Sequence, residues 1–142
     1  MRSISFRVEN ELPPKKDGGN SMWNKPTEAR RLVALRHHAL EALGSAPPFS
    51  QDIRLAVTVC VGSSNTKSTG DLDNFITGIC DGLMQAHSQT TLHTLFSQYE
   101  NTQTHPRNTV AIDDDSQIVE IHARKLVGNP EDVWYEVEIS GD

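Results

Sequence analysis

Two hydrophobic rhythms meet in the middle of the chain, and together they restrict the fold more than any other feature. From Ile53 to Val61 the larger apolar side chains occupy every second position, with Arg54, Ala56, Thr58 and Cys60 between them. A period of two puts one set on each face of an extended backbone, so the spacing predicts a strand with one apolar face. After a polar turn from Gly62 to Gly70, the apolar positions become Phe75, Ile76, Ile79, Cys80, Leu83 and Met84. That spacing predicts a helix buried along one side. The seam between the two rhythms is Thr69-Gly70-Asp71-Leu72-Asp73-Asn74. An extended backbone through it would aim Asp71 and Asp73 to one face while Leu72 turns to the core.

The flanking segments extend this pattern. Ile4, Phe6 and Val8 alternate with polar residues and predict a first strand, which stops before Leu12-Pro13-Pro14. Pro13 to Asn24 reads as an ordered loop carrying Met22 and Trp23. Pro26 suits the first turn of a helix that buries Leu32, Leu35, Ala39 and Leu43, and Gly44 is placed to end it. A polar insertion at about 87–111 follows the second helix, with Leu92, Leu95, Phe96 and Tyr99 spaced for two helical turns. Ile118 to Val127 and Val133 to Ser140 predict two further strands, joined as a hairpin through Gly128-Asn129-Pro130. A chain of 142 residues suits one domain. The expected fold is therefore α/β: a two-layer single domain with a mixed four-stranded sheet and the order β-α-β-α-(insertion)-β-β, spanning 1–142. The first crossover should be parallel and the last two strands antiparallel.

Composition narrows the setting. No apolar run suits a signal peptide or a membrane span, so a cytoplasmic protein without a membrane partner is expected. Cys60 and Cys80 have neither disulfide-framework nor zinc spacing. The net charge of −6 argues against nucleic acid, yet residues 1–36 hold eight basic side chains against four acidic ones. Such an asymmetry is compatible with a basic binding surface beside an acidic site, and equally with a solvated helix.

A second acidic run, Asp113-Asp114-Asp115, precedes the third predicted strand. There a third carboxylate can meet Asp71 and Asp73. Two unit charges about 4 Å apart repel by roughly 1 kcal/mol in water and about 4 kcal/mol at an effective dielectric of 20, so a convergent trio needs a cation or a proton. Hard oxygen donors without a thiolate favour Mg²⁺ or Mn²⁺, ions that serve phosphodiester cleavage. Helix capping by Asp71 or Asp73 explains the same pair equally well by pattern alone, and an acidic triplet by itself is more often a solvated turn.

The run Gly70-Asp71-Leu72-Asp73-Asn74, the helix ending Cys80-Asp81-Gly82-Leu83, and Ile112 to Val119 (IDDDSQIV) resemble the signature of the RusA family of Holliday junction resolvases. The resemblance places Asp115, two before Gln117, on the third catalytic carboxylate, with Asp114 as the substitute ligand, and Lys125 on a recurring lysine. It implies a small α/β homodimer, with Mg²⁺ or Mn²⁺ as cofactor, that cuts branched DNA. On this expectation Asp71, Asp73 and Asp115 hold the metal. Lys125 or Lys67 neutralises charge at the reacting phosphate, and Lys15, Lys16, Arg30 and Arg31 hold the DNA backbone. A nuclease of flaps, forks or general duplex, or a non-catalytic DNA-binding protein on the same scaffold, are the alternatives.

Overall fold

The computed structural model describes residues 1–17, 21–63 and 71–142. Its elements are β1 (Arg2–Glu9), α1 (Pro26–Leu43), β2 (Ile53–Gly62), α2 (Leu72–Gly82), β3 (Ile118–Gly128) and β4 (Trp134–Gly141). Short 3-10 helices lie at Met22–Asn24, Thr94–Tyr99 and Asp115–Gln117. Pro26 occupies the first turn of α1, where its missing N–H is not needed. Gly44 ends the helix with φ 61°, a left-handed value open to glycine, and its N–H reaches the carbonyls of Leu40 and Glu41. Ala29, Leu32, Leu35, Ala39 and Leu43 form the buried stripe between these ends.

The sheet order is β1-β4-β2-β3, mixed as expected. β4 runs antiparallel to both β1 and β2, while β3 runs parallel to β2. The strands joined by the first crossover, β1 and β2, are thus parallel in direction but separated by β4. The expected hairpin between the last two strands does not form. Instead residues 129–133 carry the chain across the end of β2, and Gly62 makes room for them: a Cβ there would lie 2.2 Å from the Pro130 carbonyl oxygen. A local turn motif signals only that the chain reverses. Which strand it then joins is decided by burial of β4, whose Tyr135, Val137 and Ile139 are fully covered only in the sheet interior.

Both helices contribute to a core built on one sheet face, where Leu35, Ala39 and Leu43 of α1 and Phe75, Ile79 and Leu83 of α2 meet Leu55, Val57, Val59 and Val137. A smaller cluster joins Met22, Trp23, Leu32, Ala86 and Phe96, with the Trp23 and Phe96 rings 6.0 Å apart. It ties the insertion to α1. Arg36 completes that tie from within the protein: it is fully buried and donates to five carbonyls. Its Nε reaches Thr104 at 2.9 Å, Nη1 reaches Gly82 and Met84 at 2.8 Å each, and Nη2 reaches His105 at 2.8 Å and Asn108 at 2.5 Å. All five guanidinium donors are used. Arg36 therefore belongs to the core and not to the basic surface on which its charge was counted.

The loop after β1 crosses α2 at Gly78. A Cβ at that position would stand 2.0 Å from the Pro14 carbonyl oxygen. Gly78→Ala is expected to destabilise the protein by about 1–3 kcal/mol through this backbone clash, despite alanine's better helix propensity. Urea unfolding of the variant checks it, and an unchanged or raised midpoint would show that the loop yields freely.

Candidate metal and nucleic-acid site

Helix α2 begins one residue earlier than an extended seam requires. Asp71 is the N-cap, with φ −87° and ψ 150°, and Leu72 is already helical. Asp71 and Asp73 therefore do not alternate on an extended backbone. The two carboxylates instead belong to the cap and the first turn of one helix, both exposed. The Asp71 carbonyl accepts from the N–H groups of Asn74 (3.1 Å) and Phe75 (3.3 Å), which is the helix start itself. Its side chain makes no capping hydrogen bond. Phe75 and Ile79, fully buried one and two turns later, hold the acidic end in place.

The loop before α1 is strapped along this helix. Asn74 Nδ2 donates to Asp17 at 2.7 Å, the Lys16 N–H donates to the Asn74 carbonyl at 3.2 Å, and Lys16 Nζ pairs with Asp81 at 2.8 Å. Lys15 Nζ stands 3.5 Å from Asp17. On the neighbouring surface Glu11 lies 3.2 Å from Arg30 and 3.3 Å from Arg31, and Glu28 lies 3.5 Å from Arg31. Each of Lys15, Lys16, Arg30 and Arg31 thus has an acidic neighbour within the chain. The basic surplus of residues 1–36 is largely an internal ion-pair network; Arg30, with 63% of its side chain exposed, reaches furthest into solvent. Lys125 is half-buried on the α2 side of β3, opposite Val59 of β2. Lys67 lies outside the described residues.

The second acidic run is shaped by Gln117. Its Oε1 accepts from the N–H groups of Asp113 (2.8 Å) and Asp114 (3.1 Å), while Nε2 donates to the carbonyls of Phe49 and Gln51, each at 2.9 Å. One amide therefore clamps the loop to the segment entering β2. Asp114 caps the 3-10 helix by accepting from the Ser116 N–H at 3.0 Å. That N–H, aided by a hydrogen bond with Asp115, holds the Asp114 carboxyl below the ordinary aspartate range. The same bond with Asp114 raises Asp115, and desolvation and the charges of Asp114 and Asp81 add to the rise.

The neighbourhood of Asp115 shows how the acids divide. Its electrostatic partner is Asp81, at the C-terminal end of α2, and both raise the thiol of Cys80, which burial pushes up to about 12. Backbone bonds from Ala111 (3.0 Å) and Ile112 (3.4 Å) to the Leu83 carbonyl bring the two segments together. Asp73 belongs to the other end, where Leu72, Asp73, Ile76 and Thr77 line an apolar groove with Ala123 of β3. Asp81 lies eight positions along the helix from Asp73, roughly 12 Å of rise. Among the described residues, no three His, Cys, Asp or Glu side chains gather closely enough to hold one metal ion. The chain brings Asp71 to Asp73, and Asp114 and Asp115 to Asp81, as two separate acidic points. Asp81 was legible only as a helix residue, because its partner lies 34 positions away.

The linked pair makes a pH prediction. Asp115, raised in the fold, adds stability that is present at low pH and lost as pH rises through its folded pKa. Asp114, lowered in the fold, adds stability that is present above its unfolded pKa and lost as pH falls through its folded one. In an NMR titration of the side-chain carboxyls, Asp115 is expected to titrate above Asp114. Asp114→Asn, which keeps a good cap, should return Asp115 toward the ordinary aspartate value. Titration of Asp115 at or below Asp114 would contradict the shared hydrogen bond.

In comparison with known proteins, no family model and no curated sequence matches the chain. No helix among the described residues is long and apolar enough to cross a membrane.

Proposed function

We propose that the chain is a divalent-metal-dependent endonuclease that cuts branched DNA, Holliday junctions first among its substrates, and that it acts as a homodimer. The observation that supports this reading most is the Asp71 carboxylate. It stands at the cap position of α2 without making the capping bond that would explain it, beside the exposed carboxylate of Asp73. Mg²⁺ commonly takes one or two protein carboxylates and fills its remaining positions with water and substrate phosphate oxygens. Asp71 and Asp73 fit that requirement as a pair, and their oxygen-only chemistry suits Mg²⁺ or Mn²⁺. When bound, such an ion supplies an activated water and neutralises charge on the leaving oxygen.

The residues of the chain do the positioning. Phe75 and Ile79 anchor the helix that carries the acidic pair, and Lys125 places positive charge on the β3 face toward α2. Arg30 offers the most accessible phosphate contact, and it, Lys15, Lys16 and Arg31 would each exchange a carboxylate for a phosphate. Asp115, with Asp114 as its substitute, lies at the opposite end of α2 in a single chain, so Asp71 and Asp73 hold the ion without it. Labelled four-way junction, fork, flap and duplex DNA, incubated with and without Mg²⁺, test the reading. Cuts near the junction point that require the ion are expected. Equal cutting of all substrates would make the protein a general nuclease, and binding without cutting in any metal would remove the catalytic reading.

A further inference from the structure

The outer edge of β3 has no strand beside it among the described residues. Of the five large hydrophobic side chains exposed among the described residues, four lie on this strand: Val119, Ile121, Leu126 and Val127. Edge strands are normally shielded by short length, proline, inward charges or bulges. β3 runs for eleven residues without proline, and its one irregularity sits at its first residues, where the register shifts between Ile53 and Arg54 of β2. Its apolar edge continues into the groove formed by Leu72, Ile76 and Ala123.

The charges on the opposite sheet face indicate what covers that edge. Glu120, His122 and Arg124 lie in register with Arg54, Ala56 and Thr58, on the face that carries no helix. Glu120 stands 3.4 Å from Arg54 and Arg124 donates to Thr58 at 3.0 Å, so pairing across the edge adds to or exchanges these partners. Antiparallel pairing of this segment with a copy of itself, centred on His122, sets Glu120 opposite Arg124 of the second copy and Arg124 opposite its Glu120. On the other face Ile121 meets Ala123. The segment is self-complementary, as a two-fold interface requires.

We propose that β3 is the interface strand of a homodimer, pairing antiparallel with β3 of a second copy so that two four-stranded sheets join into one of eight. This names the surface for the dimer of the proposed function and rests on that reading only for its use in DNA cutting. Sedimentation velocity of the full chain over a concentration series is expected to show a dimer. Glu120→Arg or Arg124→Glu alone should weaken it about tenfold by setting like charges opposite each other, and the double exchange should restore it.

His122→Cys should cross-link spontaneously under oxidation, since residues facing each other across an antiparallel pair have Cα atoms about 4.5–5.5 Å apart. Glu120→Cys should not cross-link, because its copies would be offset by about 13 Å along the strand. A monomer at every concentration overturns the proposal, as does a dimer indifferent to both charge reversals or one that cross-links at 120 and not at 122. A monomer that still cuts DNA would remove the dimer and its interface and leave the nuclease reading, whereas a β3-paired dimer that cuts nothing would remove the nuclease reading alone.

Discussion

Arg36→Met is expected to cost about 4 kcal/mol or more of folding stability, with a fall of roughly 10 °C in Tm. Methionine fills much of the same volume, so the loss isolates polar effects from a cavity. Five carbonyls, from Gly82, Met84, Thr104, His105 and Asn108, would lose their donor at once. Each carbonyl that stays buried and unsatisfied costs about 1–3 kcal/mol, and water entering the gap recovers part of this. The guanidinium has no carboxylate partner among these bonds, and its burial lowers its pKa to about 10. Its stability therefore rests on carbonyl dipoles, which a lysine, with three donors at one point, satisfies incompletely. Arg36→Lys should fall between the two proteins. Urea unfolding followed by circular dichroism gives the numbers; a loss under about 1 kcal/mol in Arg36→Met would show that the insertion holds its place without this residue.

Asp73→Asn is expected to reduce Mg²⁺-dependent junction cutting to below about one-hundredth of the wild-type rate. Its stability should change by no more than about 1 kcal/mol, the scale of a charge at an exposed helix N-terminus. The contrast between the two readouts separates a ligand from a helix-start residue, because a residue serving only the helix would alter stability and leave cutting intact. Undiminished cutting would reject the assignment of Asp71 and Asp73. Asp115→Asn is informative beside it. A loss as large as that of Asp73→Asn would mean that the two acidic points, a helix length apart in one chain, meet in the assembled enzyme.

Much of the fold was readable wherever one segment carried its own instructions. The bounds of α1 follow from Pro26 and Gly44, and the faces of β2 follow from strict alternation, because both depend on residues a few positions apart. The strand order was not readable in the same way. It depends on Gly62 meeting Pro130, a contact between residues 68 positions apart, and on β4 being apolar enough to occupy the sheet interior. The candidate site divides similarly. Asp71 and Asp73 were evident as a pair, and Gln117 as part of a motif, whereas the link from Asp115 to Asp81 exists only through the packing of the Ala111 segment against the end of α2. Arg36 misled for a physical reason: charge counting assumes solvent exposure, and only the full set of five carbonyls shows why this arginine is inside.

The place of β4 also governs how the protein can be made. Of the four strands it is the last to leave the ribosome, yet it hydrogen-bonds to both β1 and β2. Until residues 134–141 have emerged, β1 has no strand beside it, and Ile4, Phe6 and Val8 stand without the surface that covers them. The sheet is completed by inserting a strand into a gap instead of zipping outward from a hairpin. Such closure depends on contacts distant in sequence and is slow for the size of the chain. Before β4 arrives the chain is thus a helix-bearing half-sheet with an open slot, and commitment to the fold waits on the insertion of that one strand.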